Sequence, residues 1–118
     1  MAIDFACKRF DVSEIIRCSL NLTKSEFSVL EFFMKKPNSE FNSLDISSTL
    51  NLDITTVQKA LKKLYEKKVL RRHQKNLENG GYVYYYGILS KREVKRTIQK
   101  IIDNWAGKAK KEIENWKV

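Results

Sequence analysis

Thr55, Thr56, Gln58 and Lys59 crowd a five-residue stretch, and Lys62 and Lys63 follow directly. Hydroxyl, amide and ammonium groups at this density suit hydrogen bonding to base edges and charge-assisted bonding to phosphate. Glutamine can pair bidentately with adenine. Arg71, Arg72, His73 and Lys75 form a second basic group, and arginine is well matched to the potential of a narrow minor groove. Other chemistries are poorly supplied. His73 is the one histidine of the chain, which leaves no ligand cluster for a metal and little for acid–base work. Cys7 and Cys18 make neither a disulfide framework nor a zinc site. Basic neighbours (Lys8, Arg9 and Arg17) suggest a redox-sensitive thiol, yet free cysteines more often serve as small hydrophobes. No phosphate-cradling glycine loop, nucleophile elbow or paired carboxylate stands out. The expectation is a binding protein, not an enzyme, without catalytic residues, metal or cofactor.

The charge distribution points to the same segment. The 118 residues carry a net charge of +9, which favours a polyanionic partner. Residues 51–75 hold 8 basic against 2 acidic side chains, whereas residues 1–50 hold 6 against 7. With 42% hydrophobic and 31% charged residues, pervasive disorder is excluded and one domain is expected. No apolar run approaches the roughly 20 residues of a membrane span. Asp4, Lys8, Arg9, Asp11 and Glu14 interrupt any signal-peptide layout, so a cytoplasmic location is expected.

These side chains need elements to position them. Ile3, Phe5 and Phe10 give the N-terminus enough apolar bulk to dock. Asp11 opens a helix burying Ile15, Ile16 and Leu20, and Thr23-Lys24-Ser25-Glu26 is a capping box. The helix behind that box should bury Phe27, Leu30, Phe33 and Met34 and end before Pro37. A short helix over 43–50, entered through Asn42 or Ser43, should bury Leu44, Ile46 and Leu50. Asp53 then caps a third helix reaching about Lys68, with Val57, Ala60, Leu61 and Leu64 as its apolar stripe. Val69–Gln74 and Gly81–Leu89 read as a hairpin. Its tyrosines are expected to pack rather than to stack on single-stranded bases. Ser90-Lys91-Arg92-Glu93 caps a long final helix reaching towards Trp116.

Helix, short helix, tight turn, third helix and hairpin is the layout of a winged helix-turn-helix, whose second motif helix enters the major groove. The fold class is thus mainly α with a small β-hairpin wing and a long C-terminal helix. Residues 1–89 form the winged part with an N-terminal extension, and 90–118 a dimerisation helix of the same compact unit. The stretch from Leu50 to Arg72, LNLDITTVQKALKKLYEKKVLRR, resembles the recognition-helix-to-wing segment of winged-helix transcription regulators, small archaeal MarR/TrmB-like proteins in particular. The likeness extends loosely from Leu22 to Trp116. It implies that Thr55, Thr56, Gln58 and Lys59 face DNA while Val57, Leu61 and Leu64 are core. One departure is Lys68, where that group often has glycine, which tolerates left-handed φ.

In the final helix Val94, Ile98, Ile101, Ile102, Trp105, Ala109, Ile113 and Trp116 recur at spacings of mostly three and four. Packing against a second copy, as similar archaeal regulators do, is expected over packing within the subunit or on a membrane. The expected function is a homodimeric, sequence-specific regulator of transcription on double-stranded DNA. Lys62, Lys63, Arg71, Arg72 and Lys75 would supply phosphate or minor-groove contacts. Two other readings are an adaptor binding a protein of the transcription machinery and a binder of structured RNA.

Overall fold

The computed structural model describes residues 2–117. The chain runs β1 (Ala2–Phe5), β2 (Lys8–Asp11), α1 (Val12–Ser19), α2 (Lys24–Met34), α3 (Ser43–Leu50), α4 (Ile54–Glu66), β3 (Leu70–Asn76), β4 (Tyr82–Ile88) and α5 (Lys91–Glu114). The strands form two separate antiparallel hairpins, β1–β2 and β3–β4. None of these helices is long and apolar enough to cross a membrane.

Side chains set where the helices begin. Thr23 Oγ1 accepts from the Glu26 N–H at 3.2 Å, and the Glu26 carboxylate accepts from the Thr23 N–H at 2.8 Å. Asn42 with Asp45 and Ser90 with Glu93 build the same reciprocal box, so free amide groups at each start are satisfied. Asp53 Oδ2 accepts from Thr55 N–H at 3.1 Å and Thr56 N–H at 3.4 Å. Helices α1, α3 and α4 stop at a left-handed residue, Asn21, Asn51 and Lys68. After α4 the Val69 N–H donates to the Leu64 carbonyl and the Lys68 N–H to the Tyr65 carbonyl, the paired bonds of a left-handed helix stop. Lys68 holds φ +65° there, a region a side chain enters at a cost. Lys68→Gly is therefore expected to raise stability by about 0.5–1 kcal/mol, measured by urea unfolding. An unchanged or lower midpoint would show that glycine's unfolded-state entropy outweighs the relieved strain.

Leu30, Phe33, Ile46, Val57, Leu61, Leu64 and Val69 are fully buried between α2, α3, α4 and the root of the wing. Phe41 anchors that root, exchanging two 2.8 Å backbone hydrogen bonds with Tyr86. Three apolar expectations need correction. Leu44 is 64% exposed and Met34 is 42% exposed. Leu44 stands two positions before Ile46, which turns it about 200° away from the packed face. On α2 the buried side is Val29, Leu30, Phe32 and Phe33, one step round from Met34, which lines an apolar cleft of about 490 Å³ facing α5. Ile3 and Phe5 also fail to dock, at 56% and 65% exposure. They belong to the β1–β2 hairpin, in which Ile3 pairs with Phe10 and Phe5 with Lys8.

Candidate nucleic-acid interface

The N-terminal half of α4 presents one polar face to solvent. Thr55, Gln58, Lys59 and Lys62 are exposed, Thr56 is half-buried, and Val57, Ala60, Leu61 and Leu64 are sealed against the core. With 3.6 residues per turn, positions 55, 58, 59 and 62 fall on the side opposite that core stripe. The Thr55 and Thr56 amides of the first turn are taken up by the Asp53 carboxylate, so side chains carry the polar character of this face. Lys59 and Lys62 take part in no ion pair among the described residues.

Lys63 is placed differently from the expectation. Its ammonium sits 2.9 Å from Glu26 Oε1 and also donates to the Asn21 carbonyl, so it ties α4 to the start of α2. One residue of rotation carries it about 100° from Lys62 and towards the helix pair. Partial burial would raise the Glu26 carboxyl pKa, but the Thr23 N–H and the Lys63 ammonium outweigh burial and hold it below its ordinary value. Such a depressed acid stabilises the fold at neutral pH, and the contribution disappears as pH falls through the folded pKa. Glu26→Gln is expected to cost about 1 kcal/mol at pH 7, with the difference from wild type closing in acid. Equal losses at both pH values in thermal unfolding would rule out the charge as the cause.

The wing divides its cations between two faces. Strand register places Arg72, Gln74 and Asn76 beside Tyr86, Tyr84 and Tyr82, while Arg71, His73 and Lys75 pair with Gly87, Tyr85 and Val83. Arg72 is held between two rings, 4.0 Å from the Tyr65 centroid and 4.3 Å from that of Tyr84. This cation–π bridge fixes the angle between α4 and the wing. Tyr82, Tyr84 and Tyr86 continue as an edge-to-face ladder with centroids 5.2 and 6.4 Å apart. On the other face Arg71 donates to the Ile88 carbonyl at 2.6 Å and lies 3.6 Å from Glu40, whose carboxylate also lies 3.2 Å from His73 Nδ1. A Cβ at Gly87 would come within 2.6 Å of the Arg71 guanidinium, so the bare backbone there admits the arginine. Lys75 is exposed near the wing tip, 5.9 Å from the Tyr85 ring.

Sequence reasoning overlooked Glu40 and Tyr65. Neither carries a local signal, because each meets its cation only when the wing folds back on the α2–α3 loop and on α4. It also assigned the whole α5 stripe to one surface. Val94 is buried in the chain's own core, and Ile98 and Ile101 pack against that core. Ile102, Trp105 and Ile113 are 40%, 65% and 67% exposed, and Trp116, 68% exposed, lies beyond Glu114, the last residue of α5. The division arises because the core ends about halfway along this 24-residue helix.

Three helices, a hairpin leaning on the last of them, and a solvent-facing polar surface on that helix define a winged helix. Residues 15–112 match the family described as the DnaD N-terminal domain, and the chain belongs to that family. A Methanosarcina mazei structure described as a possible transcriptional regulator is 44% identical with a TM-score of 0.91, covering 100% of this chain and 98% of that one. MJ1082 of Methanocaldococcus jannaschii is 35% identical over 88% of this chain and 84% of its own length. A Staphylococcus aureus MepR variant bound to an oligodeoxyribonucleotide shares the fold, with a TM-score of 0.55 at 18% identity over 88% of this chain and 77% of that one. The likeness to winged-helix regulators thus holds for the fold, and the family is the DnaD N-terminal domain.

Proposed function

We propose that the chain is a sequence-specific regulator of transcription that binds double-stranded DNA as a homodimer. The observation that carries this reading is the α4 face, where Thr55, Gln58, Lys59 and Lys62 stand exposed on the side away from the core. In the major groove Thr55, Thr56, Gln58 and Lys59 would meet base edges and phosphate, and Lys62 the backbone. The wing would rest Lys75 on the flanking phosphates, with Arg71 available to them once it leaves Glu40. Arg72 acts through Tyr65 and Tyr84 by setting the wing angle, and Lys63 by holding α4 on α2. The Methanosarcina relative's description as a possible transcriptional regulator and the oligonucleotide on MepR support the same direction. The exposed half of the α5 stripe supports the dimer.

The experiment is fluorescence anisotropy against duplexes pooled from the source genome, random duplex and matched RNA, each over a salt series. Tight binding to a genomic subset supports the reading. Uniform binding that collapses with salt points to an architectural role, and no binding at low salt to a protein-docking module. Within the specific complex, Gln58→Ala is expected to lose about 1–3 kcal/mol of discrimination between sites while retaining binding to random duplex. Equal losses on both would remove the base-reading role from Gln58.

A further inference from the structure

The first half of α5 carries charge where a helix gains least from it. Residues 91–100 hold five basic side chains, Lys91, Arg92, Lys95, Arg96 and Lys100, against one acid, Glu93. All five are exposed and take part in no ion pair among the described residues. Glu93 is turned to the helix start, where its carboxylate accepts from the Ser90 N–H and hydroxyl at 3.2 and 3.1 Å. Arg92, Arg96 and Lys100 follow one another at intervals of four, which sets like charges side by side and destabilises a helix. Lys91 and Arg92 also stand in the first turn, where the helix dipole opposes cations. Helix stability alone selects against this row.

Packing fixes where the row points. Val94 is buried, and Ile98 and Ile101 pack against the core. Arg96 stands two positions from both Val94 and Ile98, about 200° round the helix, and Arg92 and Lys100 lie about one turn to either side of it. The row is thus the outer face of this half of α5, about 12 Å long, and the exposed Asp103 ends it. On the flank Thr97 Oγ1 donates to the Lys68 carbonyl at 3.4 Å, which sets this part of α5 beside the C-terminal end of α4. The exposed face over 55–62 belongs to the N-terminal half of α4. The body therefore carries two basic surfaces in different places.

A linear polyanion fits the second surface. One strand of duplex DNA presents a phosphate about every 3.4 Å along the axis, so the row spans about three or four of them. Arginine can also grip a phosphate with two N–H groups at once. A lipid surface is a poorer match, because an interfacial helix lays an apolar face into the membrane, and here the core covers that face. We propose that Arg92, Arg96 and Lys100 hold the phosphate backbone of a second duplex, so that the protein bridges two DNA segments, one on α4 and one on α5. Bridging rests on the α4 reading above, whereas the hold of the α5 row on a duplex does not.

Arg92→Gln/Arg96→Gln/Lys100→Gln removes the row and keeps good helix formers. The assay immobilises a biotinylated random duplex and measures capture of a fluorescent random duplex by the full chain at low salt. Wild type is expected to capture it, and the row variant to fall to the level without protein. The urea midpoint of the row variant should match or exceed that of wild type, because like-charge repulsion is relieved. Lys108→Gln/Lys110→Gln/Lys111→Gln removes the same charge farther along α5 and should retain capture. Equal loss in both variants would overturn the proposal in favour of net charge, and undiminished capture by the row variant would assign bridging to the α4 faces of two copies. Anisotropy on a single duplex separates the two surfaces. If Lys59→Ala/Lys62→Ala leaves that binding unchanged while the row variant abolishes it, the row stands as a duplex site and both the bridge and the α4 reading fall. A wild type that binds one duplex and captures no second one removes the bridge alone. If no duplex binds, both surfaces lose their DNA, and phosphatidylserine vesicles bound by wild type but not by the row variant would assign the row to lipid headgroups.

Discussion

Replacing Lys59 and Lys62 together by alanine is expected to weaken binding to every duplex and flatten its salt dependence. Both ammonium groups are exposed on the α4 face and lie outside the ion pairs of the described residues. Each cation placed on a phosphate releases condensed counterion, and log K falls with log salt by about 0.9 per contact. A dimer loses four such contacts, so the slope should drop by about 3.6, and affinity at 0.1 M salt by on the order of a thousandfold. Half that change in slope would mean that one subunit binds alone. Lys63→Ala supplies the contrast. Its ammonium is committed to Glu26 and the Asn21 carbonyl, so the slope should hold while stability falls. An equal drop in slope for Lys63→Ala would show that this lysine leaves its partner on binding.

The second large effect concerns the fold. Phe33→Ala is expected to cost about 3–5 kcal/mol, a large share of the 5–15 kcal/mol typical of a domain. Phe33 is 0% exposed and meets Phe32 and Phe41 edge-to-face at 5.7 and 6.0 Å. Its ring therefore links α2 to Phe41, where the wing is anchored by its bridge to Tyr86. The melting temperature should fall by roughly 12–20 °C, followed by circular dichroism. Met34→Ala, next along the chain but 42% exposed, should change stability by less than about 1 kcal/mol. Comparable losses for both would mean that the α2 cleft is filled in solution, by α5 or by a partner.

That pair of residues marks how far the sequence could be read. Apolar periodicity places both Phe33 and Met34 on an inward side, because a helical stripe is wide and its edges look like its centre. Burial is decided by what stands opposite. Leu44 is lost from the core for the same reason: none of the described residues covers it on the outer side of α3. Helix starts were more legible. Thr23, Asn42, Asp53 and Ser90 all cap the helices they announce, since a cap is satisfied by amides two or three residues away. The stop after α4 was less legible, because Lys68 stands where the resembled group often has glycine, and the left-handed turn forms there all the same, with φ +65°.

The candidate interface divides along the same line. Composition and spacing alone determined that the basic excess gathers in one helix and the hairpin behind it, and that α5 carries a continuous apolar stripe. Only the tertiary structure decided which of those cations are free. Lys63 meets Glu26 from 37 positions away, Arg71 meets Glu40 across the α2–α3 loop, and Arg72 is taken up by Tyr65 and Tyr84. It also decided where on α5 the core ends and an exposed apolar face begins. The physical reason is range. Caps, turns and periodicity act within a turn or two of helix, whereas ion pairs, ring contacts and burial exist only after distant segments have been brought together.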